Sequence, residues 1–118
     1  MAGSSRKYIE KVLEILHETE RDGLLTDRLD DGLNGISGLK TVGVLQRLAR
    51  LFAGEADACY LEIGVFQGLT LVSTALEAPE FTCFGIDNFV TLDPKGENKK
   101  IAAEHLEKFG AANATLID

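Results

Sequence analysis

Residues 59–70 read CYLEIGVFQGLT. The continuous apolar run over residues 58–63 predicts a short strand buried on both faces, as in a parallel sheet. Gly64 and Gly68 then predict a sharp turn, because glycine lets the backbone reverse direction and approach another group closely. Residues 70–76 predict a short helix. The stretch is therefore a strand–turn–helix unit, the building block of a parallel α/β sheet.

The same alternation continues downstream of this unit. Residues 81–86 predict a second buried strand, residues 97–109 a helix, and residues 114–117 a third strand. Strands that alternate with helices imply right-handed crossovers and a parallel sheet covered by helices on both faces. We therefore expect a three-layer α/β arrangement with about three parallel strands. The third strand ends with the chain at Asp118, which we read as a truncation of a larger sheet.

Two amphipathic helices are predicted upstream, over residues 5–21 and 37–53. The apolar positions of the first helix are Tyr8, Ile9, Val12, Leu13, Ile15, Leu16 and Thr19. Between the helices lies a segment rich in glycine and aspartate, which we interpret as an ordered loop that could fold over a bound ligand. The expected domain organisation is a helical extension over residues 1–53, followed by an α/β unit over residues 54–118.

The charge balance narrows the range of partners. The 118 residues include 19 acidic and 12 basic side chains, for a net charge of −7. This argues against nucleic acid as a partner, because phosphate binding needs concentrated lysine and arginine. No apolar stretch is long enough to predict a membrane span, and no signal core is evident, so we expect a cytoplasmic protein. Cys59 and Cys83 lie in apolar runs and predict buried free thiols.

Polar residues follow the first two predicted strands, where ligands bind in open parallel sheets. Asp87 follows Gly64 at roughly the 20-residue spacing that places a carboxylate against ribose hydroxyls in nucleotide-binding folds. Glu62 precedes the turn and favours a ligand that carries a positive charge. Phe66 and Leu69 stand where a dinucleotide fingerprint would need glycine, and no lysine follows Gly68 as a phosphate-binding loop requires. A cationic adenosyl ligand therefore suits the pattern better than a pyrophosphate.

The segments LEIGVFQGLT and FGIDNF resemble motifs I and II of the class I S-adenosylmethionine-dependent methyltransferases, particularly bacterial members with a helical N-terminal extension. The resemblance covers residues 59–118, about half of such a domain, and implies a partial Rossmann-like fold. It departs from the commonest motif at Phe66, where many members carry glycine, so the ring must point away from the cofactor. The resemblance implies these contacts with S-adenosylmethionine: Glu62, Gly64 and Gly68 at the methionine moiety, Asp87 at the ribose, Asn88 near ribose or adenine, and Asp118 near adenine.

The first hypothesis is therefore a methyltransferase whose cofactor-binding half is present. The methyl acceptor and the catalytic residues are not identifiable, and we expect the chain alone to be inactive. A second hypothesis is a non-catalytic module that self-associates, because the strand order of the family would leave the apolar edge at residues 60–63 unpaired. A third, weaker hypothesis is an NAD-dependent oxidoreductase.

Other polar residues suggest no site. His17 and His105 fall on predicted helices away from the strand ends, and we assign them surface or packing roles. Asp27, Asp30 and Asp31 lack the alternating oxygen ligands of a calcium loop and predict a solvated loop. We expect no metal.

Overall fold

The computed structural model describes residues 2–118, with side chains from residue 6 onward, and contains four α-helices, three β-strands and one 3-10 turn in that range. In chain order these are α1 (Ala2–Asp22), the 3-10 turn (Leu29–Asp31), α2 (Leu39–Phe52), β1 (Tyr60–Ile63), α3 (Leu69–Glu77), β2 (Cys83–Ile86), α4 (Asn98–Lys108) and β3 (Ala114–Ile117). The predicted alternation of strands and helices is confirmed, and the element bounds differ from the predicted ones by a few residues at most.

The three strands form one parallel sheet in the order β1–β2–β3. Glu62 pairs with Gly85 across β1 and β2, and Ile86 pairs with Ile117 across β2 and β3. Because all strands run the same way, their carboxyl ends lie along one edge of the sheet. The α/β class with a partial, Rossmann-like parallel sheet of three strands is thus confirmed.

The helices that follow β1 and β2 lie on the same face of the sheet. A Cβ atom on Gly85 would lie 2.6 Å from Leu71 of α3, so this helix packs directly on the strand. The connections from β1 to β2 and from β2 to β3 both move one strand further in the same direction across the sheet. Because such crossovers are right-handed, both helices lie on one side. On the opposite face Leu61, Ile63 and Ile117 are 54%, 83% and 41% exposed. The second helical layer predicted from the sequence is not found within residues 2–118.

The helical extension shares its core with the sheet. Ala49 of α2 belongs to the same buried cluster as Leu71, Cys83 and Ala102. A second cluster joins Val42 of α2 to apolar residues of α3 and of the loop, namely Leu33, Leu69 and Val72. The loop between α1 and α2 is ordered, as expected, because its leucines are part of this core.

Helix α1 buries a narrower stripe than predicted. Ile15 and Thr19 are buried, whereas Ile9, Leu13 and Leu16 are about half exposed or more. The reason is that α1 packs mainly against α2, and a single neighbouring helix covers only one side of it. Within the described residues, no helix combines the length and apolar character needed to cross a membrane.

The two cysteines lie in different environments. Both are free thiols, and Cys83 in β2 is fully buried as predicted. The prediction for Cys59 is wrong, because this side chain is exposed. Cys59 lies just before β1 and lines an open groove between α2 and β1.

Candidate functional site

A cleft of about 450 Å³ lies at the carboxyl ends of β1 and β2. Three segments line it: residues 35–37 of the loop before α2, the turn after β1, and residues 86–92 after β2. This is the edge at which open parallel sheets bind their ligands. Gly64, Asp87 and Asn88, predicted to bind a ligand, all line this cleft.

The two glycines of the turn have different surroundings. Both have a left-handed backbone, with φ of 91° at Gly64 and 98° at Gly68. A Cβ atom on Gly64 would meet nothing within 4 Å, whereas one on Gly68 would lie 3.6 Å from Val72 and 3.8 Å from Ala102. Gly64 therefore opens the backbone to the cleft. Gly68 does not line the cleft, and since a Cβ atom there would make only ordinary contacts, its positive φ is the reason that glycine suits this position.

Backbone strain is concentrated in the two loops beside this cleft. Within the described residues, the non-glycine residues with positive φ are Phe66, Phe89 and Leu92, at 53°, 53° and 59°. Such a conformation costs about 1 kcal/mol for an L-residue, and it persists where the surroundings hold it in place. Phe66 lines the cleft, so the expectation that its side chain lies away from the ligand site is not supported. Its left-handed backbone conformation is the one that glycine adopts most easily, which explains why glycine suits this position.

The carboxylate of Asp87 holds the turn in place. One oxygen accepts hydrogen bonds from the backbone N–H groups of Val65 at 2.8 Å and Phe66 at 3.0 Å. The other accepts from the N–H of Phe89 at 2.7 Å. Burial acts to raise the pKa of Asp87, but these hydrogen bonds outweigh it and hold the pKa below its ordinary value. Asp87 is thus an ionised group that ties the two loops of the cleft together.

Asn88 lies beside it on the same loop. Its side-chain oxygen accepts a hydrogen bond from the N–H of Val90 at 3.0 Å, a local turn-forming contact. The residue is exposed and lines the cleft, and its amide nitrogen donates to no other described residue, so it can donate to a ligand.

Glu62 lies behind the cleft rather than in it. The residue is 9% exposed, and one carboxyl oxygen accepts hydrogen bonds from the hydroxyls of Tyr60, at 2.7 Å, and Thr70. The second oxygen is buried with no partner among the described residues. Burial raises the pKa of Glu62, and the hydrogen bonds from Thr70 and Tyr60 only partly oppose that rise. Its partner Thr70 lines the cleft, whereas Glu62 is not among the lining residues.

Asp118 also lies outside the cleft. It forms an ion pair with Lys99 of α4, and both side chains are more than half exposed. Such a pair contributes little to stability in solvent. Of the six predicted ligand-binding residues, the structure therefore brings Gly64, Asp87 and Asn88 to the cleft and leaves Glu62, Gly68 and Asp118 outside its lining.

Sequence reasoning missed a polar network behind the glycine turn. The side chain of Gln67 donates to Asn98 at 3.0 Å, and a ring nitrogen of His105 lies 2.6 Å from the backbone oxygen of Gln67. His105 thus contacts the turn, although we placed it away from the strand ends. The signal available in the sequence was weak, because these partners are 31 and 38 positions apart.

The remaining polar residues form no site of their own. His17 is exposed on α1. Asp27 accepts a hydrogen bond from the N–H of Leu29, and the neighbouring Asp30 and Asp31 are exposed. In the described part of the chain, no three histidine, cysteine or acidic side chains are grouped as metal ligands would be.

The charge of the cleft limits what it can bind. Among the described residues that line it, Asp87 is the one charged side chain, and none is basic. A pyrophosphate would find no cation here, whereas a positively charged ligand would meet a carboxylate. Comparison of the sequence with protein-family models finds no matching family, and comparison with curated proteins finds no match.

Proposed function

We propose that the protein is an S-adenosylmethionine-dependent methyltransferase and that the cleft between β1 and β2 binds the cofactor. One observation carries the proposal: at the carboxyl ends of two adjacent parallel strands, a glycine opens the backbone beside a carboxylate whose pKa is lowered. This supports an adenosine ligand whose ribose hydroxyl meets the carboxylate, and the lack of basic side chains among the described lining residues disfavours a pyrophosphate on the rest of the ligand.

The residues present fit such a ligand. A volume of about 450 Å³ falls in the range of roughly 300–1,000 Å³ that is typical of small-molecule sites. Gly64 allows close approach of the methionine portion, and the free amide of Asn88 supplies a donor beside ribose or adenine. Three of about four acceptor positions on the Asp87 carboxylate are taken by backbone N–H groups, which leaves one for a ribose hydroxyl.

The contribution of this chain to methyl transfer is positioning. Bound S-adenosylmethionine supplies an electrophilic methyl group on a positively charged sulfur. Asp87 and the turn it holds would orient the ligand, and the apolar residues Ile36 and Leu69 would exclude water from one side of the cleft. No described residue is assigned as a general base, and the acceptor is not identified. The two free thiols suit a reducing compartment, so we place the protein in the cytoplasm.

Titration calorimetry with S-adenosylhomocysteine, S-adenosylmethionine and NAD tests the proposal. We expect the first two to bind and NAD not to bind, because the cleft has no cation for a pyrophosphate. Asp87→Ala should abolish binding, while the control Asp27→Ala, which removes an exposed aspartate outside the cleft, should leave it unchanged. Binding of NAD alone, or of none of the three, contradicts the proposal.

Self-association is a second candidate, favoured by the exposed edge strand. β1 has a neighbour on one side, and Leu61 and Ile63 beside its free edge are 54% and 83% exposed. Unpaired apolar edges readily pair with another chain. Sedimentation analysis should then find a dimer that Leu61→Glu dissociates and the exposed control Leu39→Glu does not. A monomer at high protein concentration contradicts this candidate.

A further inference from the structure

The start of α4 contacts both loops of the cleft through a single side chain. Asn98 is 6% exposed, and its amide nitrogen donates to the backbone oxygen of Leu92 at 3.0 Å. Its side-chain oxygen accepts from the side chain of Gln67 at 3.0 Å. Leu92 belongs to the loop after β2, and Gln67 belongs to the glycine turn after β1. One buried amide therefore joins two of the three segments that form the cleft.

The chemistry of the partners dictates how the Asn98 amide is oriented. A backbone carbonyl can only accept a hydrogen bond, so the nitrogen of Asn98 must face Leu92. The oxygen must then face Gln67, whose side-chain nitrogen donates to it. Both polar atoms of this buried side chain are satisfied, and no other orientation satisfies both.

This side chain is not needed to begin α4. The helix start is capped by Asp93, which accepts hydrogen bonds from the backbone N–H groups of Glu97 at 2.9 Å and Asn98 at 3.2 Å. The side chain of Asn98 makes its two hydrogen bonds to the cleft loops instead. That distribution of bonds favours a role in the geometry of the cleft over a role in helix stability.

His105 holds the turn from the same helix. Its Nδ1 lies 2.6 Å from the backbone oxygen of Gln67, and because that oxygen only accepts, Nδ1 carries the hydrogen. Gln67 is thus held at its side chain by Asn98 and at its backbone by His105. Gln67 lies between Phe66 and Gly68, which both have positive φ. A strained turn needs such external contacts to keep one conformation.

We infer that Asn98 is a positioning residue that fixes the glycine turn and the loop after β2 relative to each other. It has no contact with the cleft itself and acts through Gln67 and Leu92. Its effect on ligand binding rests on the proposed function, whereas its effect on the two loops does not depend on any ligand.

The chain offers a matched control in Asn113. This asparagine is also partly buried, and its amide nitrogen donates to the backbone oxygens of Ala75, Ala78 and Phe81. These contacts lie near the end of α3 and the amino ends of β2 and β3, opposite the cleft. Asn98→Leu and Asn113→Leu remove the same chemical group from opposite ends of the sheet.

Backbone hydrogen exchange followed by NMR tests the inference without a ligand. In Asn98→Leu, we expect the N–H groups of Val65, Phe66 and Phe89 to exchange at least about tenfold faster, because the two lost hydrogen bonds weaken the closed state by about that factor or more. Asn113→Leu should leave these three unchanged. If Asn98→Leu does not fold, Gln67→Met removes one of these two hydrogen bonds from the turn side. Equal exchange in the cleft variant and the control overturns the inference.

Titration with S-adenosylhomocysteine supplies the second readout. Asn98→Leu or Gln67→Met should raise the Kd about tenfold, and Asn113→Leu should leave it within about twofold, at a temperature where all variants are folded. A wild-type protein that does not bind would contradict the proposed function and leave the exchange experiment to decide the role of Asn98. Faster exchange at the cleft in Asn98→Leu with an unchanged Kd overturns its positioning role for the ligand.

Discussion

Two carboxyl groups flank the glycine turn, and their environments are opposite. Glu62 comes just before the turn and is buried between the sheet and α3, where burial raises its pKa. Asp87 comes after the next strand and accepts three backbone N–H hydrogen bonds that lower its pKa. Both end an apolar strand in the sequence, so position along the chain alone does not distinguish them.

The difference shows which carboxyl group is available to a ligand in the cleft. A carboxylate can interact with a ligand when hydrogen bonds within the protein keep it ionised and it lines the cleft. Asp87 meets both conditions. Glu62 has one carboxyl oxygen with no partner among the described residues, and it does not line the cleft. We infer that Asp87 defines the site, while Glu62 belongs to the packing behind it.

The largest effect is expected from Asp87→Ala. The change leaves the N–H groups of Val65, Phe66 and Phe89 without their acceptor, at a cost of about 1 kcal/mol for each bond, or about 3 kcal/mol in total. Urea unfolding should show this loss, whereas Glu62→Gln should cost less than about 1 kcal/mol because glutamine can still accept from Tyr60 and Thr70. Equal destabilisation by both changes contradicts the comparison.

The two glycines of the turn give the next test. Alanine at Gly64 or Gly68 meets the same left-handed strain, so each change should cost about 1–2 kcal/mol of stability. Only Gly64→Ala places a methyl group in the cleft, because a Cβ atom at Gly68 packs toward Val72. Calorimetry should find S-adenosylhomocysteine binding weakened about tenfold by Gly64→Ala and little changed by Gly68→Ala. The reverse order would place the ligand elsewhere.

The pH dependence of stability should separate the carboxyl groups further. For Glu62, whose pKa is raised by folding, the stabilising contribution is present below the ordinary value of 4.5 and is lost as pH rises through the folded pKa. For Asp87, the contribution is present above the ordinary value of 3.8 and is lost as pH falls through the lowered pKa.

Glu62→Gln should therefore remove the loss of stability that the Glu62 carboxyl group causes as pH rises. Its stability relative to the wild type should increase as pH rises above 4.5, while below that value the two proteins should remain alike. Urea unfolding at a series of pH values between 4 and 7 measures this. Parallel stability curves across that range would show that the Glu62 carboxyl group is not perturbed by burial.

The smallest expected effect is a difference in reactivity between the two cysteine thiols, which lie near Glu62. Burial, with added effects of Cys59 and Glu62, raises the pKa of the Cys83 thiol to about 11. A thiol reagent at pH 8 should therefore modify Cys59 in the native protein and leave Cys83 unmodified until the chain unfolds. Cys59→Ser should abolish the native reaction. Rapid modification of Cys83 in that variant would show that water reaches the interface between the sheet and α3.

Most of the fold could be predicted from local patterns. The apolar runs around Leu61 and Phe84, the turn glycines and the periodic helices specify the order of elements. The exposure of Ile9 and Leu13 on α1 could not be predicted, because amphipathic periodicity gives the apolar positions but not the number of neighbouring helices. Helices cover one face of the sheet rather than two because both crossovers run in the same direction across it. The sequence pattern does not give that direction.

The candidate site was predictable in position but not in detail. Gly64 and Asp87 mark the strand ends in the sequence, and both reach the cleft. The sequence shows two glycines in the turn but not their surroundings. That Gly64 borders open space and Gly68 borders Val72 depends on the three-dimensional path of the backbone. The pairing of Gln67 with Asn98 follows from the way α4 packs on the turn, and no periodic signal links positions so far apart.

NMR titration of the wild-type protein with S-adenosylhomocysteine tests the central claim most directly, since it shows both whether the ligand binds and where. We predict that the backbone amides that shift are confined to the three segments of the cleft: residues 35–37, residues 63–66 with 69 and 70, and residues 86–92. The amides of residues 45–60, which line the apolar groove between α2 and β1, should not move. No shift at any segment, or shifts centred on that groove, would contradict the account.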